Sequence, residues 1–284
     1  MLSKKIDFAA LILVDRANPN GDPLGGNRPR TNYDGYGEIS KECITRKIRN
    51  RLQAMGHPIF VQSNDRCTDG CGSLSERANT YLGKQKAKDG EAKRSIAERA
   101  CEMWIDVRSF GQVFAFKMDE GSSAGVRGPV SIRLTESVAP VEVRSMQITK
   151  SVNGNDTKDG KKSSDTVGSK HFVQHGLYVL KGSISPQLAD CTGFDDADAS
   201  QIKEAIRTLF VDDMSSARPE GSMEVVKLYW WEHNSKLGQY STAKVHRTLQ
   251  VTLKDADKIP ASLEDYDISI SDLPGLSPEI LDGE

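Results

Sequence analysis

The sequence has 284 residues, of which 37% are hydrophobic and 27% charged, and its net charge is -2. It is long enough to bury a sizeable core in one large domain or two small ones, and no apolar run reaches the roughly 18 residues that span a bilayer. The balanced charge excludes a uniformly basic nucleic-acid binder, so any polyanion site must come from locally concentrated charge.

The chain opens with Ile6 to Asp15, "IDFAALILVD", apolar on both alternating faces as a strand covered on both sides would be. The stretch is too short for a membrane span, ends in charge and lacks a small-residue cleavage site, so no signal peptide is expected. With five Cys and no secretion signal, a reducing, cytoplasmic setting is expected. "NPNGDPLGGNRPRTN", Asn18 to Asn32, follows as a loop too rich in Asn, Pro and Gly for regular structure. Then Ile44, Ile48, Leu52 and Met55 recur at helical spacing, with Ser40 as N-cap and Ile39 with Ile44 at the spacing of a hydrophobic staple. Arg46 and Arg49, with Thr45 beside them, fall opposite that apolar stripe.

Residues 56–102 read as a charged, lysine-rich, helix-compatible insertion. "MWIDVRSFGQVFAF", Met103 to Phe116, returns to strand-like composition with Gly111 interrupting it. Asp119 to Pro129 is a glycine-bearing loop, "VSIRL" alternates as a strand, and residues 141–149 are strand-like again. Lys150 to Lys170 has almost no apolar residues and cannot build a core element. "HFVQHGLYVLKGSI" is a strand, Ile202 to Phe210 a second amphipathic helix, and "EVVKLYWWE" and Leu249 to Leu253 are strands. The tail, residues 262–284, is acidic without Lys or Arg and reads as loosely ordered. Without the two insertions the order is strand, helix, strand, strand, helix, strand (βαββαβ), an α+β ferredoxin-like arrangement.

Three segments are locally basic: the first helix, the first insertion and the stretch from Lys150 to Lys170. Gly25 and Gly26 let backbone N–H groups approach a ligand closely, and Arg28 and Arg30, held by Pro29, supply forked phosphate donors. This loop feeds a helix N-terminus near Ser40 and Lys41, with its free N–H groups and positive dipole end. "GGNRPR" is not a Walker loop, since the Gly-Lys-Ser/Thr ending is missing.

"NPNGDP", "GGNRPR", "ISKECITRKIR", "DVRSFGQVFAF", "GVRGPVSI" and "VGSKHFVQHGLY" resemble, in that order, the CRISPR-associated RAMP-superfamily backbone subunit of type I Cascade complexes, most like subtype I-C. The resemblance runs from about Ile6 to about Leu253. It implies an RRM/ferredoxin-like palm (1–55, 103–147 and 173–261), a helical finger insertion (56–102), a β-hairpin thumb (148–172) and a tail (262–284) outside the pattern. It also implies a non-enzymatic subunit that polymerises as a helical filament along CRISPR RNA and pairs the guide with target DNA. Large, small and RNA-processing Cascade subunits would be its other partners, with no membrane and no cofactor. Carried onto this chain, the RNA-binding residues are Asn20, Gly25, Asn27, Arg28, Arg30, Ser40, Lys41, Thr45, Arg46, Arg49, Ser109, Phe110, Gln112, Arg127, Val167, Lys170, His171 and Phe172. Finger lysines Lys84, Lys86, Lys88 and Lys93 would track duplex DNA.

A guide varies in sequence, so its contacts must fall on phosphate and ribose. Phe110, between Ser109 and Gly111, suits a base-tolerant apolar wedge, whereas Phe114 and Phe116 suit core packing. Cys67 and Cys71, ten residues beyond His57, invite a zinc reading, but the set would need Cys43 or Cys101 to complete it and free thiols are expected. His171 and His175 lie in a strand and are not expected to bind metal. The alternative function is a metal-dependent ribonuclease using Asp22 in the opening loop. The competing reading of Asp22 is an Asx turn in "NGDP", which is preferred.

Overall fold

The computed structural model describes residues 1–83, 95–115, 124–149 and 167–284. Strand β1 (Ile6–Ala17) runs through the middle of the main sheet. A two-residue ladder, β2 (Gly21–Asp22) on β3 (Arg28–Pro29), folds the opening loop, and β4 (Tyr36–Ile39) leads into helix α1 (Lys41–Ala54). Helices α2 (Leu74–Leu82), α3 (Ile96–Met103) and α4 (Ile105–Phe110) precede a small sheet of β5 (Gly111–Phe114) and β6 (Ala124–Arg127). Short strands β7 (Val130–Ile132), β8 (Thr135–Pro140) and β9 (Val143–Thr149) come before the long β10 (Val167–Ile184). After α5 (Pro186–Thr192) and α6 (Asp196–Arg207) come β11 (Met223–Glu232), α7 (Thr242–His246), β12 (Leu249–Leu253), β13 (Tyr266–Ile270) and β14 (Glu279–Asp282).

The main sheet is antiparallel, in the order β14-β11-β1-β10-β8-β4, and β7 and β9 also pair with β10. β1 is apolar on both faces because both are covered. Phe8, Ala10, Ile12 and Val14 pack with Ile44, Ile48 and Leu52 of α1 and Ile202 and Ile206 of α6. Ala9 and Leu11 face Val245, Leu249 and Tyr266, from α7 and the β12–β13 ladder. The three fully buried α1 side chains each contribute about 1.5–3 kcal/mol. The Ser40 cap, which accepts from Cys43 N–H at 3.2 Å, adds about 1 kcal/mol, so packing dominates the helix. Phe60, Ala78, Leu82, Ile96, Trp104, Val107 and Phe114 form a separate small core around α2 to α4. No helix of the described residues is long and apolar enough to cross a membrane.

Two expectations from the sequence are corrected. Met103 to Phe116 is not one strand: α4 occupies its first half, and β5 begins at Gly111, whose φ of 80° breaks the helix. The helix is dictated by tertiary contacts that periodicity cannot reveal, with Ile105 in the main core and Val107 in the small one. The acidic tail is ordered. Tyr266, Ile268 and Ile270 alternate inward on β13, and β14 pairs with the outer edge of β11. Its carboxylates meet cations from earlier elements, in the pairs Lys203–Glu279, Lys227–Asp282 and Arg207–Glu284. β9 pairs with β10 from Val143↔Val173 to Thr149↔Val167, a ladder that overlaps the expected thumb hairpin at 148–172. Residues 150–166 lie outside the described residues.

Candidate nucleic-acid interface

Helix α1 carries five basic side chains, and the fold divides them. Lys47 is buried against Asp213, and Arg51 Nε donates to Thr208 Oγ1 at 2.7 Å, so both are anchored internally. Lys41, Arg46 and Arg49, with Thr45, line a groove of about 750 Å³ whose far wall holds Phe110 and Arg127. Six of the residues expected from the sequence thus converge in one place.

The groove is pinned by a carboxylate that sequence reasoning missed. Asp106 of α4 is fully buried. Its Oδ1 accepts from Phe60 N–H at 2.8 Å, and its Oδ2 accepts from Val61 N–H at 3.1 Å and from Arg49 Nε at 3.0 Å. Arg46 Nη1 donates to Val61 carbonyl O at 2.6 Å. Burial, and then the adjacent Arg49, lower the pKa of Arg46, a penalty that a bound phosphate would relieve. The two arginines are therefore held in place, not waving on a free face as helical spacing alone suggested. Arg127 is exposed, and its guanidinium has no partner among the described residues. One acidic residue, Glu42, also lines the groove, 3.7 Å from Lys41 in an exposed pair of little energetic weight.

The aromatic reading changes. Phe110 is half-buried against the main core, and the Arg49 guanidinium lies over its ring at 5.3 Å. It forms a wall of the groove and is not a free wedge. Ser109 is fully buried, so its side chain does not face a strand lying in the groove. Gln112 Nε2 donates to Val113 O at 3.0 Å on β5, outside the groove lining. Phe114 is buried, and Phe116 lies outside the described residues. Gly111 and Gly128 stack tightly, since a Cβ on Gly128 would meet Ser109 O at 2.3 Å; Arg127 is held at a fixed place by this contact.

The opening loop reaches the groove through a chain of contacts. Asn20 Oδ1 accepts from Ser40 N–H at 2.9 Å, so Asn20 orients the start of α1, and Ser40 is its cap. Asn27 takes φ 60°, and its side chain packs over Gly21. Gly25 N–H already donates to Asp22 O at 3.1 Å. Arg28 is exposed, whereas Arg30 sits 3.5 Å from Asp22. Asp22 Oδ1 accepts from Leu24 N–H at 3.2 Å, the Asx-turn arrangement.

Lys170, His171 and Phe172 stand on β10 within its ladder to β9, away from the groove lining, and His171 Nδ1 lies 2.9 Å from Ser145 Oγ. Val167 begins that strand. Lys84, Lys86, Lys88 and Lys93 lie outside the described residues. His57 Nε2 meets Gln201 Oε1, and Cys67 Sγ lies 3.4 Å from Asp69, which Arg77 clamps with two guanidinium contacts. No group of three or more His, Cys, Asp or Glu that could hold a metal occurs among the described residues. Ser131 and Ser183 also line the groove, and no sequence signal marked them.

Residues 4–271 match the family model of CRISPR-associated protein Cas7. A CRISPR-associated protein Cas7 of Haloferax volcanii is 25% identical over 198 residues, 65% of this chain and 58% of the relative, so the chain spans less than two thirds of that protein's length. Among solved structures, a chain of a CRISPR RNA-guided surveillance complex, pre-nicking, shares the fold with a TM-score of 0.55 at 17% identity, covering 90% of this chain and 84% of the other.

Proposed function

Because the chain belongs to the CRISPR-associated Cas7 family, we propose that it is a guide-RNA-binding backbone subunit of a type I surveillance complex, nearest to subtype I-C. The observation that carries this reading is the groove between α1 and Arg127. It concentrates four cations, Lys41, Arg46, Arg49 and Arg127, in a protein whose net charge is -2. Its donors are guanidinium, ammonium and hydroxyl groups, which suit phosphate and ribose and leave base identity unread. Strong tethering of Arg46 and Arg49 fixes their geometry before RNA arrives and lowers the ordering entropy lost on binding.

In this reading the strand order β11-β1-β10-β8, with α1 and α6 on one face, is the RRM/ferredoxin-like palm. The elements between residues 56 and 102 are the fingers, and the β9–β10 hairpin is the thumb that closes over RNA. Copies polymerise along the guide beside the other Cascade subunits, and the guide, not the protein, reads target DNA. The subunit supplies no chemistry of its own. A titration of the purified protein with unrelated single-stranded RNAs across a salt series tests this. Similar affinities and one common salt slope support it; affinities that depend on sequence contradict it.

A further inference from the structure

A second basic groove lies round the corner from the first. It measures about 400 Å³ and opens between β8, β10 and β12, with Arg133, Lys181, Glu136, Gln250 and Thr252 on its walls. Lys181 pairs in register with Ala9, on the side of the sheet that faces β12 rather than α1. Arg133 follows directly on β7, and its N–H donates to Lys181 O at 3.0 Å, so the two residues are neighbours across the strand edge. Neither cationic group has an ion pair or side-chain hydrogen bond with another described residue. Lys181 is half-buried; burial, and then Arg133, lower its pKa, while Glu136 acts in the opposite sense. A half-buried ammonium beside an unpaired guanidinium is an arrangement that a bound anion stabilises.

The two grooves border the same β7–β10 ladder. Ser131 and Ser183 face each other in register and line the first groove, and Arg133 and Lys181 are each two residues further along the same strands. Two residues span about 7 Å of strand. β7 is only three residues long, so the path round its edge is short. The Ser131–Ser183 step that borders the first groove is therefore the next same-face step of the ladder from the pair of cations.

We infer that a nucleic-acid strand leaving the α1 groove crosses the β7 edge and places a further phosphodiester between Arg133 and Lys181. This rests on the RNA-binding reading above, and it gives each subunit a phosphate contact on the β12 side of its sheet as well as on the helix side. The Arg133 fork and the Lys181 point charge are complementary donors for one phosphate, and Gln250 and Thr252 present polar groups to the adjoining ribose.

The test combines Arg133→Gln with Lys181→Met, which keeps the lysine's aliphatic stem packed and removes both charges. Affinity for a mixed-sequence single-stranded RNA is measured across a salt series, and UV adducts are mapped by mass spectrometry. Each single-strand phosphate contact contributes about 0.7 to the salt slope, so the double variant, which removes one such contact, should lower it by about 0.7 and lose adducts on Gln250 to Thr252. Arg133→Gln alone, at an exposed site, should lower the slope by part of that amount and preserves the test should Lys181→Met disturb folding. Arg127→Gln in the first groove is the reference. An unchanged slope in the Arg133→Gln variant with no β12 adducts in the parent protein, while Arg127→Gln weakens binding, overturns the inference and leaves the α1 groove intact. If Arg127→Gln also has no effect, the RNA-binding reading fails and takes the inference with it.

Discussion

Arg49 and Asp106 join helix α1 to helix α4 through a hydrogen bond of 3.0 Å from Nε to Oδ2, and the carboxylate is wholly shielded from solvent. The guanidinium's other N–H groups have no hydrogen-bond partner among the described residues, and its central carbon lies 5.3 Å from the centre of the Phe110 ring. One residue thus neutralises a buried carboxylate and presents donors to the groove.

Asp106→Ala should be severely destabilising. It strands the Phe60 and Val61 N–H groups and leaves the largely buried Arg49 unpaired. Loss of one partner from a buried pair removes about 3–5 kcal/mol. Denaturant unfolding should show a lower midpoint with little change in slope. Arg49→Lys should retain part of the stability but lose RNA affinity, since an ammonium lacks the planar fork.

Arg127→Ala should act oppositely. The side chain is exposed and unpartnered, so stability should stay within about 0.5 kcal/mol of the parent protein. RNA affinity should fall equally for unrelated sequences, with the salt slope reduced by about 0.7. A thermal melt and an anisotropy titration on the same preparation check both halves.

Two histidines make stability depend on pH. Burial lowers the pKa of His246 and of His175 below the ordinary 6.5, while nearby carboxylates, Asp7 for the first and Asp15 and Asp265 for the second, partly oppose it. A depressed histidine binds its proton in the unfolded chain first. Stability is therefore full above pH 6.5 and declines as pH falls from 6.5 toward the folded-state values. Urea midpoints measured across this range should fall with pH, and less steeply in a His175→Gln, His246→Gln variant.

Truncation after Pro278 should expose the outer edge of β11. It removes β14, the half-buried Leu281 and three ion pairs with Lys203, Lys227 and Arg207. The pairs are largely exposed and contribute little, so the loss should be about 1–3 kcal/mol, chiefly from Leu281. The bared strand edge should also promote self-association, which light scattering would register.

The long periodic elements were legible in the sequence. β1, α1, α6, β10 and β11 announce themselves because a repeated apolar spacing over ten or more residues admits one regular structure. The elements misread were short or masked by charge. α4 has six residues and takes its helical form from Asp106 and two separate cores. The acidic residues of the tail hid the alternation of Tyr266, Ile268 and Ile270. Helical spacing brought Arg46 and Arg49 to one side of α1, but no pattern could reveal that a carboxylate 57 positions beyond Arg49 would hold it. Spacing also could not separate Lys47, buried on Asp213, from its groove-facing neighbours.

The central claim is that the groove of Lys41, Arg46, Arg49 and Arg127 holds guide RNA by its backbone. The most direct measurement is the RNA content of the full chain purified alongside a CRISPR array and its partner subunits, compared with that of an Arg46→Glu, Arg127→Glu variant. The account predicts that RNA of uniform length co-purifies with the parent protein and that the variant, folded by circular dichroism, carries almost none. RNA recovered in equal amount from both, or from neither, would contradict it.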